Sequence, residues 1–81
     1  MGFVAAFDKS IFYNQENRYC IFQLKTADKM VPPEARSSFK HRDHLIRFVA
    51  VGYDLPRDDT VKMELEGTWT NDGKHGLRFA V

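Results

Sequence analysis

The chain has a single cysteine, Cys20, among 81 residues. No intrachain disulfide can form, and a lone thiol fits a reducing compartment. No apolar run approaches the roughly 18–20 residues of a membrane-spanning helix. The opening Met1-Gly2-Phe3-Val4-Ala5-Ala6-Phe7-Asp8 lacks the positive stretch of a secretory leader, so a cytoplasmic location with no membrane partner is expected. The formal net charge is only +1, which removes any global electrostatic argument for a polyanionic partner. Such binding would need a local patch, because counterion release counts only the phosphates neutralised.

Catalytic signals are also missing. Neither G-x-x-x-x-G-K-[ST] nor G-x-G-x-x-G occurs, so nucleotide hydrolysis and dinucleotide binding have no seat, and no cofactor is expected in this chain. A zinc site needs about four ligands. His41 and His44 flank Arg42-Asp43 and read as solvated loop histidines, while Cys20 reads as a small core hydrophobe. Asp58-Asp59 falls in a turn, and Glu64 and Glu66 fall on the solvent side of a strand. No catalytic or metal-binding residue is assigned.

What is present is a core inventory. Seven Phe, three Tyr and one Trp, each able to bury about 150–250 Å², are enough for one small interior and argue against disorder. At this length one domain spanning 1–81 is expected, near the lower limit for independent folding.

The pattern is that of strands. Phe3 to Tyr13 is the first, with Phe3, Val4, Phe7, Ile11 and Phe12 as apolar contacts, followed by the polar turn Asn14-Gln15-Glu16-Asn17. Tyr19 to Lys25 alternates cleanly, which puts Cys20, Phe22 and Leu24 inside and Tyr19, Ile21, Gln23 and Lys25 outside. Leu45 to Gly52 repeats this, with Ile46, Phe48 and Ala50 inward and Leu45, Arg47 and Val49 outward. Thr60 to Thr70 forms the fourth strand, its Val61, Met63, Leu65 and Trp69 on one face, interrupted at Gly67 where a bent strand needs a kink or bulge. Asn71 to Gly76 is a hairpin loop and Leu77 to Val81 the fifth strand, whose abrupt end suggests an excised piece. Thr26 to Asp43 is a long irregular loop between strands two and three, with room for a short helical turn around Glu34 to Phe39. No segment carries a sustained 3.6-residue apolar stripe, so the class is all-β: a small five-stranded barrel or curled sheet, which hides its edges.

One surface stands out. From Arg36 to Arg47 the cations Arg36, Lys40, Arg42 and Arg47 face the single acid Asp43, a local charge of +3. In an OB-type barrel the face of strands two and three, framed by the loops joining strands one to two and four to five, is the usual oligonucleotide platform. Those positions carry Arg18, Tyr19, Lys25, Lys74 and His75. Cations for phosphates beside a π surface for bases is what single-stranded DNA requires. The expected DNA-binding set is therefore Arg18, Tyr19, Lys25, Arg36, Lys40, Arg42, Arg47, Lys74 and His75. Outward Ile21, Leu45 and Val49 support the alternative of a protein-docking domain.

Three stretches, in order, resemble one family. Ile11-Phe12-Tyr13-Asn14-Gln15-Glu16-Asn17-Arg18-Tyr19 is similar to an F-[HY]-N-x-E-N-G-[FY] opening. Val49-Ala50-Val51-Gly52-Tyr53-Asp54-Leu55-Pro56 is similar to V-G-x-L-P, and Gly67-Thr68-Trp69 through Phe79 to G-x-W-x-N-x-x-x-[HY]-G-x-Q-F. These are features of the N-terminal domain of RecD-like ATP-dependent DNA helicases, some labelled exonuclease V alpha subunits. Arg18 stands where the pattern has glycine, and Arg78 where it has glutamine. The resemblance implies an OB domain attached to motor domains, absent from this chain, that would use ATP and magnesium to unwind DNA with 5′-to-3′ polarity in recombination or repair.

Overall fold

The strand β2 (Tyr19–Thr26) sets the architecture. Cys20, Phe22, Leu24 and Thr26 are buried, and the alternate residues Tyr19, Ile21, Gln23 and Lys25 are half-buried. Side chains alternate along a strand, so one face of β2 is core and the other is only partly covered. β1 (Gly2–Tyr13) lies antiparallel on one side of β2, and β3 (Ile46–Tyr53) antiparallel on the other. The structure, a computed structural model, describes residues 2–37, 42, 44–58, 60–71, 73 and 76–81.

Three short strands complete the sheet. β4 (Lys62–Glu66) pairs antiparallel with the first half of β1. β6 (Leu77–Ala80) runs parallel to β3 through Ala50 and Val51, and β5 (Thr68–Asn71) pairs antiparallel with β6. The order is β4-β1-β2-β3-β6-β5. Its two edge strands are neighbours in the chain, separated by Gly67 alone, so the sheet curls into a half-barrel whose edges meet at that residue.

Among the described residues the sheet has six strands, which corrects the expected five. The Thr60–Thr70 segment does not run as one strand, because its halves serve opposite edges of the sheet. Gly67 permits the break: a Cβ there would fall inside the van der Waals shell of the Ala80 carbonyl, and backbone cannot give way. Val61, expected inside with Met63 and Leu65, is exposed ahead of β4.

The core gathers Phe22, Phe48 and Phe79 with Leu24, Ala50, Met63, Leu65, Ala5 and Cys20. Each fully buried phenylalanine contributes about 1.5–3 kcal/mol. Trp69 is half-buried, edge-on to Phe48 at 5.6 Å and to Phe79 at 5.0 Å. Val31 and Ala35, from the segment after β2, seal one end. Ala35 ends a 3-10 turn, Pro33–Ala35, started by a proline whose fixed φ suits a first helical position. Residues 38–41 and 43 of the expected long loop lie outside the described residues. Among the described residues no helix is long and apolar enough to cross a membrane.

β1 departs from its expected packing. Its pairing with β2 slips between Phe7 and Lys9 and again between Ser10 and Phe12, so it bulges twice. Phe7 still enters the core, edge-on to Phe22 at 5.0 Å. Ile11 and Phe12, expected as packed contacts, are turned out and exposed, as is Val4 at the other end of the strand. A bulge inserts a residue and re-aims the side chains beyond it.

Candidate nucleic-acid interface

The turn joining β1 to β2 is built by its asparagines. Asn14 Oδ1 accepts the Glu16 N–H at 2.9 Å, and Asn17 Oδ1 accepts the Tyr19 N–H at 3.0 Å. These are Asx turns, in which a short side chain satisfies the backbone two residues on. Arg18 closes the turn at φ +63°, left-handed backbone where the resemblance has glycine. Two links to the end of β3 hold it. The Asp54 N–H donates to the Arg18 carbonyl at 3.0 Å, and Arg18 Nη1 donates to Asp54 Oδ2 at 3.1 Å.

That lock places three aromatic rings side by side on the outer face of β1, β2 and β3. Tyr19 and Tyr53 are cross-strand partners with ring centroids 5.3 Å apart, inclined at 62°. Phe12 lies 6.4 Å from Tyr19 at 57°. Beside them Ile11, Tyr19, Ile21, Val49 and Arg78 line an open groove of about 340 Å³. The Arg57 guanidinium sits 4.5 Å over the Tyr13 ring, a cation–π contact at the same end of the sheet.

Farther along the same outer face the chemistry is ionic. Arg47 points to the predicted side of β3 but is only 7% exposed. Its Nε donates to Asp8 Oδ2 at 3.4 Å, and Gln23 Nε2 donates to the same oxygen at 2.6 Å. Arg47 Nη1 also reaches the Leu45 carbonyl at 3.4 Å, and the Ser37 N–H donates to the Arg47 carbonyl at 2.8 Å. The first bulge of β1 falls at Asp8, so the carboxylate can reach both partners. Burial pushes the Asp8 carboxyl up. The hydrogen bonds from Gln23 and Arg47, with the charges of Arg47 and Lys25, outweigh that and hold it below its ordinary 3.8. Arg47 thus lies on the predicted side of β3 but is buried rather than open to solvent, because a bulge in a third strand supplies the acceptor that seals it.

The other predicted residues scatter. Arg36 is exposed, yet its Nε donates to the Val31 carbonyl and its Nη2 to the Lys29 carbonyl, both at 2.9 Å, stapling the loop. Lys25 borders a cavity of about 640 Å³ at the opposite end of the face, with Val4, Ala6, Leu45 and Lys62. Arg42 is exposed. Lys40, Lys74 and His75 lie outside the described residues, as does His41 of the histidine pair. Of the five predicted cations that are described, Arg18, Arg36 and Arg47 have their guanidinium groups committed to protein acceptors. Among the described residues of the predicted set, Arg18 and Tyr19 alone join the aromatic end.

Phe12, Tyr53 and Arg78 were not anticipated there. Tyr53 shares the parity of Arg47, Val49 and Val51, a signal that was available had the third strand been extended by one residue. Arg78 alternates with the core residue Phe79. The outward turn of Phe12 depends on the β1 bulge, for which the sequence carries no marker. Among the described residues no group of three or more His, Cys, Asp or Glu could hold a metal ion.

Residues 2–81 match a family described as the OB-fold domain of the ATP-dependent DNA helicase YrrC. No curated protein and no solved structure matches the chain.

Proposed function

The chain belongs to the family of OB-fold domains of the ATP-dependent DNA helicase YrrC, and from that premise we propose that it is an accessory nucleic-acid-binding module. It has no chemistry of its own and takes DNA in single-stranded form on the outer face of β1, β2 and β3. The observation that carries this reading is the row Phe12–Tyr19–Tyr53 on the face that OB barrels use for oligonucleotides, with Arg18 and Arg78 beside it. Its parent is a RecD-like, cytoplasmic helicase of 5′-to-3′ polarity acting in recombination or repair. The motor domains of that parent would supply the ATP and magnesium site. The three-motif resemblance supports this part.

Chemical-shift mapping with a short single-stranded oligonucleotide at low salt tests the reading. Shifts at the Tyr19, Tyr53 and Arg78 amides are expected. Absence of any shift at low salt would overturn nucleic-acid binding.

A second reading, docking on protein, draws on the cavity between Val4, Ala6 and Leu45, whose rim carries Lys25 and Lys62. Shifts confined to that cavity on adding the motor domains would favour it.

A further inference from the structure

The nucleic-acid reading leaves open which part of the ligand supplies the affinity, phosphates or bases. Phosphate-led binding needs cations on the contact face, roughly one per phosphate neutralised. Among the described residues, Lys25 stands at the opposite end of this face, beside the cavity, and three arginines are already committed. Arg47 is sealed against Asp8, Arg36 is turned to the Val31 and Lys29 carbonyls, and Arg18 is shared with Asp54. Asp8 and Asp54 add negative charge to the same side of the sheet. The π surface, by contrast, is generous. Tyr53 is 65% exposed and Phe12 47% exposed. The rings meet at 57° and 62°, tilted or edge-to-face rather than stacked, so each contact covers at most one ring face.

Resting on the reading above, we infer that bases, not phosphates, carry the affinity: Tyr53 and Phe12, on either side of Tyr19, form a stacking site for two unpaired bases. The apolar groove of Ile11, Ile21 and Val49, with Arg78 on its wall, continues that site. A duplex cannot use this site, because its bases are already stacked on each other. Sequence preference is weak, since every base offers a π face.

Fluorescence anisotropy with three labelled probes of equal length tests this: oligothymidine, its abasic counterpart, and a duplex. Oligothymidine should bind about tenfold more tightly than either of the others. The slope of log affinity against log salt should be shallower than about −2, the value for roughly two or three phosphates on a single strand. Tyr53→Ala should lose about tenfold, Phe12→Ala somewhat less, and Tyr53→Phe almost nothing because the ring remains. Both alanine changes are at exposed positions on different strands, so failure to fold cannot explain a shared loss. Abasic and duplex probes that bind as tightly as oligothymidine, with a steep salt slope, would overturn base-led binding while leaving nucleic-acid binding intact. No binding to any probe at low salt would instead remove the nucleic-acid reading, and the stacking site with it.

Discussion

Arg47 and Tyr53 lie on the same side of one strand, yet one is sealed and the other stands in water. The middle of the outer face has a lid and an acceptor. Ser37 binds the Arg47 backbone from the incoming loop, and the bulged β1 delivers Asp8. Among the described residues the end of that face has neither a lid nor an acceptor of this kind, and carries neighbouring rings and the exposed Arg18–Asp54 pair. Strand alternation assigns a side of the sheet. Burial is then decided by what other segments bring to that side, which is why one outward row contains both a structural ion pair and a candidate binding surface.

The largest expected effect falls in the middle. Arg47→Met removes the cation and leaves Asp8 part-buried with Gln23 alone, which should cost about 2–3 kcal/mol in urea denaturation. If the two regions are as separate as they look, oligonucleotide affinity at a temperature where this variant is folded should change by less than about twofold. A loss as large as that of Tyr53→Ala would merge them into one site.

Next comes acid sensitivity. The folded Asp8 carboxyl is held below 3.8, so its contribution is complete above the unfolded value and is lost as pH falls through the folded one. The urea midpoint should therefore drop as the pH falls below about 5 and through the lowered folded value, and Asp8→Asn should flatten part of that drop. An unchanged slope in the variant would mean that Asp8 is not the group that ties the middle of the face together.

The smallest effect is expected at the aromatic end. Arg18→Gly relieves left-handed backbone but removes a fully solvated ion pair. A rise in melting temperature of about 2–4 °C would show the backbone winning. A fall would show that the link to Asp54 outweighs the strain and is the brace holding Tyr53 beside Tyr19.

Much of the core was legible, because it follows from period-two patterning within single strands. Cys20, Phe22 and Leu24 face inward as their alternation requires, and so do Phe48 and Ala50. Trp69 joins Phe48 and Phe79 as its row suggested, and Gly67 falls where the fourth segment breaks. The candidate surface was less legible, because its residues depend on contacts between strands distant in sequence. Nothing near Arg47 in the chain announces Asp8, and nothing near Phe12 announces the bulge that turns it out. Charge counting along the loop found arginines, but charge is available to a ligand only after the protein's own carbonyls and carboxylates have been served.

The meeting of the two sheet edges at Gly67 also has a meaning in time. The pairings nearest in sequence are Asn71 with Leu77 and Tyr13 with Cys20, whose loops are short and cheap to close. Gly2 with Glu66 joins the two ends of most of the chain, and Ala50 with Phe79 needs a parallel crossover. Loop-closure entropy therefore orders assembly from the β1–β2 and β5–β6 hairpins outward and leaves the seam among the last contacts to form. Side chains at the seam should govern how fast the folded domain opens far more than how fast it is made.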